Sequence, residues 1–224
     1  MKAKSIISAA LAAVVLAGCA KSMDYATSDQ VKGEGLFNNE TDAIVTVKTS
    51  ADGTVYLQLD EETRLFPREE PDCPDMCRAM CRIIVREETV PGYGYLTDVL
   101  WIEPLEQGAF ASSAAGSDGL DLEDDWMTCV EDGWLTLHYS TWWGYDAVRH
   151  EISLVSGTDA SDPYVVELRH DACGDLRYEY ADALIAFDIN SLPDTGDQTM
   201  TLTLRWKDTG GADKSRQFEF RSRK

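Results

Sequence analysis

With 224 residues and a formal net charge of −20, the chain repels polyanions and offers no basic stripe to offset that charge. Duplex nucleic acid, held mainly by Lys and Arg on phosphates, is excluded as a partner, and anionic lipid surfaces are disfavoured for the same reason. Apolar residues make up 44% of the chain, and no long segment lacks them, which argues against a disordered body.

The N-terminus reads as an export address. Lys2 and Lys4 precede an apolar run from Ile6 to Ala17, interrupted only by Ser8. A membrane span takes roughly 20 apolar residues, so this run has the length and flanks of a secretory h-region instead. It closes on Leu16-Ala17-Gly18-Cys19, which resembles the lipobox of bacterial lipoproteins. The resemblance implies a signal peptide over residues 1–18, lipidation of Cys19 with palmitate-type acyl chains, and attachment to a membrane through that anchor. Two or more chains make such attachment effectively permanent, at about 0.8 kcal/mol per buried methylene. Ala20 follows the cysteine where some inner-membrane lipoproteins carry Asp, so the outer membrane is expected, with the face left open. The mature chain keeps 18 basic and 40 acidic residues, a net charge of −22.

Residues 19–40 are small and polar and read as a tether. From Ala43 the pattern takes the two-residue period of half-buried strands. Ala43, Val45 and Val47 alternate, Asp52-Gly53 marks a hairpin turn, and Val55, Leu57 and Leu59 line one face. A short strand at Arg64–Phe66 stops at Pro67; Arg82–Glu88 and, after Pro91-Gly92, Tyr95–Ile102 complete five. Five short strands without a long helix predict an OB-like β-barrel over residues 41–107. The Gly/Ala/Ser stretch 108–119 reads as a linker. Beyond it, alternation around Leu135–Tyr139, Val148–Leu154, Tyr164–His170, Ala183–Ile189, Met200–Trp206 and Phe218–Phe220 predicts an antiparallel β-sandwich over 120–224.

Five cysteines besides Cys19 fall in the mature chain: Cys73, Cys77, Cys81, Cys129 and Cys173. The four-residue steps of the first three suggest one face of a helical turn. A zinc site wants a fourth ligand and tighter paired spacings, and no histidine lies nearby, so no metal is expected. A Cys73–Cys77 or Cys73–Cys81 bridge, with Cys129 and Cys173 as a second pair, suits an oxidising compartment. Five is odd, so at least one is free or pairs between chains.

Catalytic signatures are missing. There is no phosphate loop, dinucleotide fingerprint, zincin helix or nucleophile elbow, and no cofactor is expected. His138, His150 and His170 fall in strand patterns and read as structural. The acids Asp118, Asp121, Glu123, Asp124 and Asp125 lack the alternation of a calcium loop and read as a solvated interdomain face. Trp142-Trp143-Gly144-Tyr145 stands out, because adjacent strand residues point to opposite faces and one tryptophan must look outward. Trp142, Trp143 and Tyr145 are therefore the candidate ligand-binding residues, suited to a glycan ring or a protein partner.

The chain also resembles the NigD-like lipoproteins of Bacteroides-type bacteria, a family named for a member of a bacteriocin operon. The resemblance is carried by Tyr56-Leu57-Gln58-Leu59-Asp60-Glu61-Glu62-Thr63-Arg64-Leu65-Phe66-Pro67, Arg78-Ala79-Met80-Cys81-Arg82-Ile83, Asp132-Gly133-Trp134-Leu135-Thr136-Leu137, Leu168-Arg169-His170-Asp171 and Phe187-Asp188-Ile189-Asn190-Ser191-Leu192. It implies an OB-like domain followed by a β-sandwich and a role in bacteriocin immunity. It supplies no catalytic residues. Charge, anchor and missing catalytic motifs together lead us to expect a non-enzymatic envelope lipoprotein that binds a protein or peptide, a cationic bacteriocin among the partners. A carbohydrate-binding lipoprotein is the alternative. Replacing the anchor residue, Cys19→Ala, should move the protein from the membrane pellet to the soluble fraction on cell fractionation; continued pelleting would place the anchor elsewhere.

Overall fold

Fifteen strands and no α-helix build the described part of the chain, as the two-residue alternation requires. The computed structural model describes residues 37–90, 94–145, 148–196 and 198–223. The signal peptide, Cys19, most of the expected tether and the Pro91-Gly92 turn lie outside the described residues.

The first five strands are β1 (Glu40–Thr49), β2 (Val55–Gln58), β3 (Arg64–Pro67), β4 (Arg78–Val90) and β5 (Gly94–Pro104). They close into a barrel in the order β1-β2-β3-β5-β4, with β4 returning to β1. β3 and β5 run parallel while the other pairs are antiparallel. This is the OB-like arrangement expected. Register shifts in the β4–β5 ladder between Arg82 and Ile83 and between Val85 and Thr89 bend the long strands, as closure of a small barrel demands. Val45, Val47, Leu57, Leu65, Ile83 and Val85 fill the interior. Each such side chain contributes roughly 1.5–3 kcal/mol by leaving water.

The sandwich has ten strands: β6 (Glu106–Gln107), β7 (Ala109–Ala111), β8 (Asp121–Leu122), β9 (Cys129–Glu131), β10 (Trp134–Trp143), β11 (Glu151–Val155), β12 (Val165–Asp171), β13 (Glu179–Asp188), β14 (Met200–Lys207) and β15 (Asp213–Phe220). One sheet orders β6-β13-β10-β8, with β9 also on β10; the other orders β15-β14-β12-β11-β7. Leu135, Leu137, Leu154, Val166, Phe187, Leu202, Leu204 and Phe220 meet between them.

The structure corrects three expectations here. The sandwich is mixed, since β6–β13, β7–β11 and β12–β14 pair in parallel. The expected linker 108–119 contains β7, and the sandwich begins at Glu106. Between β6 and β7 the chain changes sheets at Gly108, where an added Cβ would lie 2.1 Å from Phe187 Cε1. Gly116 has φ +91 and passes 2.3 Å, at its would-be Cβ, from the His170 carbonyl oxygen. The glycines mark close approach to packed neighbours rather than a spacer. Finally, Cys73 and Cys77 lie in a loop and Cys81 lies on β4, so the helical turn does not form. All five cysteines are free thiols. The Sγ atoms of Cys73 and Cys77 face each other at 2.9 Å, whereas Cys81 donates to the Ala43 carbonyl at 3.5 Å. Cys129 sits beside Arg78 and Cys173 bonds within its own loop, so neither the Cys73–Cys81 nor the Cys129–Cys173 bridge is formed.

Barrel and sandwich meet through β10. Its outward-facing Thr136 accepts a hydrogen bond from Arg78 Nε on β4 at 3.3 Å, and Arg78 Nη1 donates to Thr46 on β1 at 3.1 Å. Lys48 Nζ on β1 donates to Asp132 in the β9–β10 turn at 2.6 Å.

Candidate functional site

Period two along β10 sends Leu135, Leu137 and Tyr139 into the sandwich core and Thr136, His138, Ser140 and Trp142 to the opposite face. The barrel covers the Thr136 end of that face. Beyond it Ser140 is buried and His138 largely covered by the carboxylates that bond them, the face opens at Trp142, and the row is shared with β13 through the directly opposed pairs Ser140–Asp182 and Trp142–Tyr180. Short β8 adds the acids Asp121 and, just beyond it, Glu123 on the other side.

Aromatic side chains crowd the far end. Trp142 and Tyr180 have ring centroids 5.3 Å apart, and Tyr145 and Tyr178 have theirs 3.7 Å apart. Tyr145 and Leu176 are each 74% exposed, with Tyr178 at 57%. Large exposed apolar groups scattered singly need no explanation, but five gathered at one sheet end form a patch of the kind that marks an interaction site. Sequence reasoning picked out Trp142 and Tyr145 but missed Leu176, Tyr178 and Tyr180. The alternation of Tyr178 and Tyr180 was the available signal, and it lay just ahead of the strand expected from Ala183.

Trp143 has a different part. It points inward, packs against the sandwich core, and donates from Nε1 to the Ala181 carbonyl at 3.2 Å. Its ring stacks on His150 at 4.4 Å with an interplanar angle of 15°. His150 Nε2 lies 3.2 Å from Asp175 Oδ2, and its Nδ1 lies 3.0 Å from His170 Nε2. The Gly144 amide donates to the same Asp175 oxygen at 2.7 Å. This buried chain fastens the Gly144–Tyr145 loop to the loop that carries Leu176 and Tyr178. Trp143, expected as a ligand-binding candidate, is thus a backing residue for the patch.

Between patch and barrel the face is acidic. Ser140 donates to Glu123. Asp121 accepts from Tyr180 Oη at 2.6 Å and from Thr209 Oγ1 at 2.5 Å. Burial opposes ionisation of Asp121, but the bonds from Thr209 and Tyr180 outweigh it and hold its pKa below the ordinary value. Tyr180 is pushed up to about 12, by burial first and then by its bond to Asp121. These acids face the open side of the sandwich, so the expectation of a solvated interdomain face at Asp118–Asp125 is replaced by an exterior one. Among the described residues no group of three His, Cys, Asp or Glu side chains could hold a metal ion.

His138 sits between two carboxylates, Nδ1 2.6 Å from Asp125 and Nε2 2.9 Å from Asp182. Ionised carboxylates only accept, so both ring nitrogens must donate, which requires the imidazolium. Desolvation lowers the His138 pKa, but the bonds to Asp182 and Asp125 exceed it and the net shift is upward. A histidine whose folded pKa lies above its unfolded value of about 6.5 stabilises fully below that value. The contribution fades as pH rises through the folded pKa. His138→Gln should therefore cost about 1 kcal/mol near pH 5.5 and little near pH 9 in urea denaturation, given the partial exposure of the site; equal losses at both pH values would contradict the bridging role.

Residues 102–220 match the model of the NigD-like C-terminal beta sandwich domain, just over half of the 224-residue chain. No curated protein matches. Among solved structures, a protein proposed to be toxin-related from Parabacteroides distasonis is 23% identical with a TM-score of 0.67, over 82% of this chain and 94% of that one. A protein of unknown function from Bacteroides vulgatus is 15% identical with a TM-score of 0.66, over 81% and 91%. A NigD-like immunity protein from Bacteroides caccae is 18% identical with a TM-score of 0.55, over 80% and 96%. At these identities the structures share the fold with this chain and say no more. The family match extends over all ten strands of the sandwich, including β6 ahead of the glycine-rich stretch and β7 within it. The chain belongs to the NigD-like family.

Proposed function

We propose that this chain is a non-enzymatic cell-envelope lipoprotein whose aromatic and acidic sandwich face binds a cationic protein or peptide, with immunity to a bacteriocin as its role. The observation that carries the reading is the patch of Trp142, Tyr145, Leu176, Tyr178 and Tyr180 at the end of an acidic face. Aromatic rings give a partner large rigid contact area and attract cations on their faces. Asp121, Glu123, Asp125 and Asp182 outnumber the His138 cation among them, and the net negative field speeds encounter with a positive partner and selects against a negative one. A NigD-like immunity protein among the structural neighbours supports the same direction. The lipobox at Cys19 supports the envelope location, and Ala20 supports the outer membrane.

The test is a sensitivity assay. Cells lacking the gene should be killed more readily by at least one bacteriocin from a related strain, and the wild-type gene should restore survival. The Trp142→Ala/Tyr178→Ala double variant should fail to restore it while remaining folded. In direct titration with that bacteriocin, each aromatic should account for about 2 kcal/mol, or roughly thirtyfold in Kd. Unchanged sensitivity in the deletion strain would sink the immunity role. Binding of glycans by the parent, lost in the same double variant, would replace the peptide reading with the carbohydrate one.

A further inference from the structure

Away from the aromatic face, the barrel and the sandwich enclose a cavity of about 220 Å³. Its barrel wall is the β2–β3 surface, with Tyr56 and Gln58 on β2 and Arg64 on β3; its sandwich wall is the C-terminal segment Arg221–Arg223. The floor is the Lys48–Asp132 ion pair. Asp132 Oδ1 takes the Lys48 proton donor at 2.6 Å, but Asp132 Oδ2 is buried with no hydrogen-bond partner. Arg223 Nε lies 3.8 Å from that same oxygen and bonds the Asp132 carbonyl at 2.8 Å. Arg223 Nη2 is likewise buried without a partner. One acceptor and one donor are therefore left unsatisfied on two side chains of the lining, Asp132 in the floor and Arg223 in the wall. Buried polar groups without partners cost about 1–3 kcal/mol each, so such sites are normally filled.

Charge sets the kind of molecule. In a mature chain of net −22, this cavity is lined by four cations, Lys48, Arg64, Arg221 and Arg223, against the three acids Glu61, Glu62 and Asp132. Lys48 is neutralised by Asp132. Arg64 and Arg221 are exposed at the mouth, and among the described residues neither is in an ion pair with a carboxylate. Arg64 stacks its guanidinium over the Tyr56 ring at 5.1 Å, and Tyr56 in turn lies 6.0 Å from Phe66. Arg221 is held by its Nε bond to Thr199 Oγ1 at 2.7 Å. Two fixed guanidinium groups at the entrance suit a carboxylate, which they bind through paired N–H donors. OB barrels in general take their ligands on the β2–β3 face, and the cavity opens there.

We propose that this cavity binds a small carboxylic acid that also carries a hydrogen-bond donor. The carboxylate would meet Arg64 and Arg221, and the donor, a hydroxyl or an ammonium, would meet an acid of the lining, of which Asp132 has one oxygen without a partner. A sugar acid and an amino acid both have this chemistry. The site is independent of the aromatic face and of the partner bound there.

Thermal shift and isothermal titration of the mature protein would use D-galacturonate and L-serine as the two acids. D-galactose lacks the carboxylate and acetate lacks the donor, so these serve as controls. At about 10 mM, ten times a millimolar Kd, at least one of the two acids should raise Tm while galactose and acetate should not. A rise with galacturonate alone assigns a sugar acid, and a rise with serine alone assigns an amino acid. Arg64→Gln/Arg221→Gln should keep its ligand-free Tm, since both side chains are exposed, and should weaken binding at least tenfold. No shift with either acid, an equal shift with acetate or galactose, or full binding by the double variant would overturn the proposal.

Discussion

The fold hinges on charges buried where two β domains touch. Arg78, on a barrel strand, is completely buried, and it divides its donors between Thr46 of the barrel and Thr136 and Cys129 of the sandwich. Beside it, Lys48 and Asp132 form an ion pair with side-chain exposures of 11% and 5%. Removing one partner of such a pair leaves an uncompensated charge, at about 3–5 kcal/mol. The same desolvation shows in Glu131, which burial and then the neighbouring Glu61 push up to about 8 while Arg78 pulls the other way. A flexible joint would let water reach these groups and would need no such pairing. The contact therefore reads as a weld between the two architectures.

From that weld a single strand leads to the surface. β10 carries Thr136 under the barrel and Trp142 in the open, with His138 and Ser140 on the way. Because alternate residues of a strand share a face, the junction and the aromatic patch are two ends of the same row. The patch is stiffened from behind by Trp143, His150, His170 and Asp175, whose bonds tie the β10–β11 loop to the β12–β13 loop. A preformed aromatic surface loses less side-chain entropy on binding than a mobile one, and this arrangement supplies that preorganisation.

The strands were legible in the sequence because their signal is local. Val45, Val47, Leu57 and Leu65 announce the barrel, and Leu135, Leu137, Ile185 and Phe187 announce the sandwich, each by alternation over a few residues. What escaped depends on partners distant in sequence. Lys48 and Asp132 are 84 residues apart, and nothing near either one names the other. Gly108 and Gly116 read as spacer because a glycine forced by Phe187 or by the His170 carbonyl looks the same as one chosen for freedom. Composition also hides direction. The pair Trp142 and Trp143 required one outward ring, but which one followed only from the register of β10 with the core. The His150–His170 contact and the carboxylate pair around His138 likewise could not be seen, because their partners lie 13 to 44 residues away.

If the junction is a weld, barrel and sandwich must unfold together. Differential scanning calorimetry of the mature protein should show one transition whose van't Hoff and calorimetric enthalpies agree. Two resolved transitions, or a calorimetric enthalpy well above the van't Hoff value, would mean that the domains melt separately and that Arg78, Lys48 and Asp132 do not couple them.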